Sequence, residues 1–171
     1  YQGVRSMDAM VQQAGISAEK VIRLNGNENP YGPSPRAVEA LGKFHNYNYY
    51  PDPDQRRLRE VLSDYVGLPP EQIVAGNGSD EIIDLLMRMF LGPGENIIIP
   101  SPTFGMYAVS AGINAGEAIA VERDENFEID VEAMRRAITP KTKVLFIPSP
   151  SNPTGNVATK AQIRGLLDTG L

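Results

Sequence analysis

Cysteine is absent from this chain, which excludes disulfides, thiolate catalysis and cysteine-ligated metals within it. Histidine occurs once, as His45. Histidine-rich metal centres and a Ser-His-Asp hydrolase are therefore poor fits, and His45 reads as a surface residue. No apolar run approaches about 18 residues, so no transmembrane helix is expected. No basic, apolar leader stands at the first residues, and the expectation is a cytoplasmic protein. Basic residues number 16 against 21 acidic ones, a net charge of −5 with no basic stripe. That balance argues against a nucleic-acid partner. What remains is ordinary for a globular chain: 171 residues, 42% hydrophobic and 22% charged. A compact domain of this size could bury roughly 70% of its unfolded surface.

Helical and β-rich segments alternate. Ser6 can cap a short helix over 6–15 with Met7, Met10 and Val11 on one face. A short extended run over 21–24 leads into a loop at 25–35 that is too rich in Gly, Pro and Asn to be regular. A weak helix follows at about 36–44, then an aromatic loop at 46–53. Asp54 opens a helix with Leu58, Val61, Leu62 and Tyr65 on one face, ended by Gly67. Strands are expected at 73–75, 97–99, 118–121 and 144–147. Between them lie a helix bearing Ile82, Leu85, Leu86 and Met89, one at about 104–112, and a short one capped by Asp130. A Thr159–Gln162 capping box opens the last helix, and Gly170 reads as its stop. This alternation predicts an α/β fold with a mostly parallel sheet. Another strand should follow, so the chain reads as a fragment.

In such sheets ligands sit beyond the carboxyl ends of the strands. Three of those exits are rich in Gly, Pro and small polar residues. At Gly76-Asn77-Gly78-Ser79-Asp80-Glu81, free N–H groups at a helix start suit a phosphate; a tight turn capped by Ser79 or Asp80 is the plainer reading. A dinucleotide site fits poorly, because Glu81 replaces the third glycine of that fingerprint. An ATP loop fits less, since no Gly-Lys-Ser/Thr follows. Phe104, just past the second strand, can stack on a planar ligand or simply join the core. Asn152, held among Pro148, Pro150 and Pro153, can serve as a fixed donor or belong to an ordinary Asn-Pro turn. Tyr31, Tyr47, Tyr49 and Tyr50 are four of the seven tyrosines and suit an interface or a ligand pocket, or partial burial.

Taken together, these segments resemble the histidinol-phosphate aminotransferase family of fold-type-I pyridoxal-phosphate enzymes. The resemblance rests on Asn25-Gly26-Asn27-Glu28-Asn29-Pro30-Tyr31-Gly32-Pro33-Ser34-Pro35, Tyr50-Pro51-Asp52-Pro53, Gly76–Glu81, Pro102-Thr103-Phe104-Gly105-Met106-Tyr107 and Asn152-Pro153-Thr154-Gly155. It implies a three-layer αβα fold. Residues 1–68 would form an N-terminal arm and the start of a small domain, and 69–171 the first part of a large cofactor-binding domain. It implies transamination between L-histidinol phosphate and 2-oxoglutarate, with pyridoxal 5'-phosphate as cofactor, in a homodimer.

The resemblance also assigns roles. Gly78, Ser79 and Asp80 would hold the cofactor phosphate, Phe104 would stack on its ring, and Asn152 would donate to its phenolic oxygen. Tyr50 would reach the phosphate in the neighbouring subunit, while Asn27 and Tyr31 would line the substrate side. An Asn152–Pro153 cis peptide is expected. The family's Schiff-base lysine would lie further along than Leu171, and no catalytic residue is assigned within these residues. The family's later strands would separate 73–75 from 97–99. Alternatives within the superfamily are an aromatic amino-acid aminotransferase and a threonine-phosphate decarboxylase. A non-catalytic phosphate-binding or interaction domain is the alternative of another class.

Overall fold

The computed structural model describes residues 6–24 and 26–168. Asn25 and the expected helix stop at Gly170 lie outside the described residues. The chain divides into two compact units between Glu71 and Gln72.

The N-terminal unit holds α1 (Met7–Ala14), α2 (Pro35–Gly42) and α3 (Arg56–Val66), with a 3₁₀ turn at Ala18–Lys20. Ser6 Oγ accepts from the Ala9 N–H and caps α1 as expected. Residues 21–24 form no strand. Asp54 does not open α3. The Asp52 carboxylate does that work instead, accepting the N–H groups of Asp54 and Arg56 at 3.1 Å each. Its position two residues before the turn lets it reach both donors, while the Asp54 side chain pairs with Arg56. Gly67, at φ 71°, ends α3 as expected.

The second unit holds α4 (Ser79–Phe90), β1 (Asn96–Ser101), α5 (Met106–Ile113), β2 (Glu117–Glu122), α6 (Val131–Ala137), β3 (Thr142–Leu145) and α7 (Lys160–Leu167). The three strands are parallel, in the order β2-β1-β3. Side chains alternate across β1. Ile97 and Ile99 pack with Ile83, Met87 and Leu91 of the α4 region and Ala111 of α5. Ile98 packs on the other face with Met134 of α6 and Leu166 of α7. Helices therefore cover both faces, giving the expected three layers.

The segment 73–75 is not a strand: it has no ladder partner among the described residues, and Val74 is 77% exposed. The third strand of the sheet runs over 142–145 rather than 144–147. Its start is drawn back by Thr142, whose buried hydroxyl donates to Asn96 Oδ1 at 2.8 Å. Its pairing ends early because of Pro100. The Ile98 carbonyl accepts from the Phe146 N–H at 3.0 Å, so residue 98 faces β3. Residue 100 faces the same way two positions on, and as proline it has no N–H to continue the ladder. β1 and β3 therefore part beyond Ile98.

Candidate functional site

That parting coincides with a divergence of the chain. β1 leads into α5 on one face, while β2 and β3 on either side of it lead to α6 and α7 on the other. A crevice at the carboxyl ends of such strands is where open α/β sheets bind ligands. α4 enters β1 through a short turn and packs beside α5, so it runs back along the sheet with its N-terminus toward the same end.

No side chain among the described residues caps α4. Gly78 is the N-cap residue, correcting the expectation of Ser79 or Asp80. Its φ of 79° and ψ of 177° lie in a region essentially restricted to glycine. A Cβ on Gly76 would stand 2.8 Å from Glu81 Oε2. The Glu81 carboxylate folds back to accept the N–H of Asn77 and, at 3.2 Å, the Asn77 side-chain amide. It thereby fixes the turn without occupying the N–H groups of Ser79 and Asp80. Those groups have no acceptor among the described residues, and the positive end of the helix dipole adds to their pull on an anion.

Phe104 is half-buried at the exit of β1. It meets Tyr107 edge-on with ring centroids 5.9 Å apart, and Tyr107 stacks on Phe146 at 4.3 Å. Burial pushes the Tyr107 phenol above its ordinary pKa, so it stays protonated. Asn152 is half-buried at the exit of β3, and its side-chain amide makes no hydrogen bond among the described residues. The Asn152–Pro153 peptide is cis, as expected. The loop around it is closed by Ser151 N–H to the Asn156 carbonyl (2.8 Å) and Gly155 N–H to the Ser151 carbonyl (2.7 Å). Two buried hydroxyls, Thr103 Oγ1 and Thr154 Oγ1, have no partner among the described residues and sit in the Phe104 and Asn152 loops respectively. The fold thus brings Gly78, Ser79, Asp80, Phe104 and Asn152 to one end of the sheet.

Asn27, Tyr31 and Tyr50 belong to the N-terminal unit. Asn27 is exposed at φ 50° and lines a cavity of about 630 Å³ with Arg23, Leu24 and Glu28. Asn29 fixes the neighbouring turn by accepting the Tyr31 N–H at 3.0 Å and donating to the Gly32 carbonyl at 3.0 Å. Tyr31 and Tyr50 stand almost fully exposed. The Thr103 and Thr154 hydroxyls carried no sequence signal of their own. Nor did Arg123, which stands between Glu122 and Asp124.

The aminotransferase class I and II family matches residues 19–169. The chain belongs to that family. The histidinol-phosphate aminotransferase of Roseiflexus castenholzii is 44% identical over 98% of this chain and 47% of its own length. The chloroplastic histidinol-phosphate aminotransferase of Nicotiana tabacum is 40% identical over 98% of this chain and 41% of its own. Among solved structures, the Sinorhizobium meliloti histidinol-phosphate aminotransferase in complex with pyridoxal-5'-phosphate superposes with a TM-score of 0.85. That structure is 20% identical and matches over 97% of this chain and 45% of its own, a likeness of fold. The chain spans a little under half the length of the curated relatives it matches. No helix among the described residues is long and apolar enough to cross a membrane.

Proposed function

We propose that this aminotransferase-family chain forms the phosphate- and ring-binding part of an enzyme that uses pyridoxal 5'-phosphate to move an amino group between L-histidinol phosphate and 2-oxoglutarate. The observation that carries the reading is the placement of three groups at one end of the sheet: the uncapped start of α4, the ring of Phe104 and the amide of Asn152, unpaired among the described residues. The substrate assignment rests on the 44% identity to histidinol-phosphate aminotransferase.

The residues present fit the cofactor. The N–H groups of Ser79 and Asp80 hold its phosphate dianion, where the helix dipole stabilises negative charge. Gly78 lets the backbone take the turn that aims them. Phe104 packs on the pyridine ring, and a phenylalanine there offers packing without a hydroxyl contact. Asn152 donates to the phenolic oxygen and favours its ionised form. The unpartnered hydroxyls of Thr103 and Thr154 mark the same two loops as built to meet a further polar group. When bound, the cofactor supplies an electron sink, and the protein's part is to orient it. Asn27 and Tyr31 are assigned to substrate binding.

None of the five lysines suits the imine-forming role. Lys141 and Lys143 lie at the entrance of β3, with Lys143 paired to Glu95 at 3.2 Å. Lys20 ends the 3₁₀ turn Ala18–Lys20, Lys43 pairs with Glu39, and Lys160 is exposed on the first turn of α7. That lysine is assigned to residues beyond this sequence, so the 171 residues alone are expected to be inactive. Tyr50 is assigned to the phosphate of a cofactor in a second copy, in a homodimer; its full exposure supports that reach. The compartment is taken as the cytoplasm.

The test is turnover by the full-length protein loaded with pyridoxal phosphate. Glutamate should form from 2-oxoglutarate with L-histidinol phosphate as donor, far faster than with aromatic amino acids. Faster turnover of an aromatic amino acid, or carbon dioxide release from threonine phosphate, would replace the substrate assignment. In the same protein Tyr50→Phe should weaken cofactor binding at least tenfold, since a hydrogen bond to a charged group is worth about 1.5–3 kcal/mol.

A further inference from the structure

Arg123 follows β2 and is 8% exposed, the one charged residue that is buried among the described residues. Its guanidinium makes three contacts in three directions. Nε donates to the Pro102 carbonyl at 3.3 Å, Nη1 to the Phe127 carbonyl at 3.0 Å, and Nη2 to Ser151 Oγ at 2.9 Å. Its own N–H donates to the Ser101 carbonyl at 2.9 Å. Pro102 lies two residues before Phe104, and Ser151 immediately precedes Asn152. One side chain therefore reaches from the exit of β2 across the end of β1 to the loop after β3.

The anchor beneath it is rigid. The Asp124 carboxylate accepts the N–H groups of Asn126 (2.9 Å) and Glu128 (2.8 Å), and Phe127 is held at φ 59°, a left-handed conformation a phenylalanine rarely adopts. Asn156, at the far end of the Asn152 loop, donates to the Asn126 carbonyl and to Glu128 Oε1. Two ends of one loop are thus fastened to the same turn. No carboxylate stands within 4 Å of Arg123 among the described residues, although Glu128 attracts it from further away. A buried cation held by carbonyls and a hydroxyl is a costly arrangement unless its geometry is needed. Only the planar fork of arginine offers donors in three fixed directions; a lysine offers a point charge.

We propose that Arg123 is a positioning residue that locks the Phe104 loop and the Asn152 loop into one spacing, so that ring and amide meet the same cofactor. The inference rests on the proposed function and deepens it. Arg123 touches neither substrate nor cofactor and acts through Ser151 on Asn152 and through Pro102 on Phe104.

The test uses the full-length protein loaded with pyridoxal phosphate and reads the pH midpoint of its visible absorption change, with thermal unfolding measured alongside. A donor at the phenolic oxygen favours the anionic form, so losing it raises the midpoint. Asn152→Ala should raise it by about one unit, and Ser151→Ala and Arg123→Lys by about half a unit each. Ser151→Ala should add nothing further once Asn152 is alanine, because both act on one contact. Ser151→Ala removes a single hydroxyl, so it reads out the clamp even if Arg123→Lys unfolds. The inference is overturned if Ser151→Ala and Arg123→Lys lower the melting temperature but leave the midpoint at the wild-type value, or if Ser151→Ala shifts it equally with and without Asn152. An unmoved midpoint in Asn152→Ala itself would instead refute the role of Asn152 in the proposed function, and the inference with it.

Discussion

β1 and α3 are both patterned for burial, yet they meet opposite fates. Ile97 and Ile98 of β1 are fully buried between helices on the two faces of the sheet. On α3, Val61 is 62% exposed and Tyr65 is 87% exposed, and no described residue of the N-terminal unit is buried. The hydrogen bonds described within that unit are local. Ser6 caps α1, Asp52 accepts the N–H groups of Asp54 and Arg56 ahead of α3, Arg59 donates twice to the Pro70 carbonyl, and Ser63 donates to the Leu68 carbonyl. The Ser79, Phe104 and Asn152 groups proposed to meet the cofactor belong instead to the unit with the packed sheet.

The largest expected difference between the regions is in their tolerance of truncation. Ile97→Ala should destabilise the chain by about 3 kcal/mol, combining lost burial with a cavity. Leu58→Ala on α3 should cost less than about 1 kcal/mol, because its side chain is half exposed already. Urea unfolding of the 171-residue chain checks the pair, and equal costs would break the comparison.

Glycine sharpens it further. Gly78→Ala should cost about 2 kcal/mol, since its φ and ψ fall where only glycine is at ease. It should also weaken cofactor binding in the full-length protein. Gly67→Ala, at the left-handed end of α3, should cost about 1 kcal/mol and leave cofactor binding alone. Denaturation and cofactor titration of both variants separate the two effects.

The smallest effect is a pH dependence, with one carboxylate in each unit. Asp52 is held below its ordinary pKa by the Arg56 N–H and then the Asp54 N–H. Glu95 is held below its own by the Gly92 N–H and, against some desolvation, by Lys143. Both stabilise the fold at neutral pH. That stabilisation is complete above the ordinary carboxylate range of about 4 and fades as the pH falls through their lowered values. Carboxyl titration by NMR should find both midpoints below those of free carboxylates. Asp52→Asn and Glu95→Gln should each flatten the acid limb of the stability curve.

Much of this architecture was legible in the residues. The Thr159–Gln162 capping box, the Asp130 cap and the run over Asn96–Ile99 announced their elements, because cap chemistry and a buried strand leave strong local signals. The segment 73–75 misled, since an apolar triplet becomes a strand only where a neighbour pairs with it. Asp54 misled because Asp52 sits two residues earlier and reaches the same donors. Of the site, the loop motifs identified Gly78, Ser79, Phe104 and Asn152 as candidates. Arg123 stayed hidden, because its role depends on residues 21 and 28 positions away that only the sheet brings together.

The most direct test of the account is a structure of the full-length protein with pyridoxal phosphate bound. The account predicts the phosphate within roughly 3 Å of the Ser79 and Asp80 N–H groups, the ring against Phe104, and the Asn152 amide on the phenolic oxygen. A phosphate seated anywhere other than the start of α4 would contradict it.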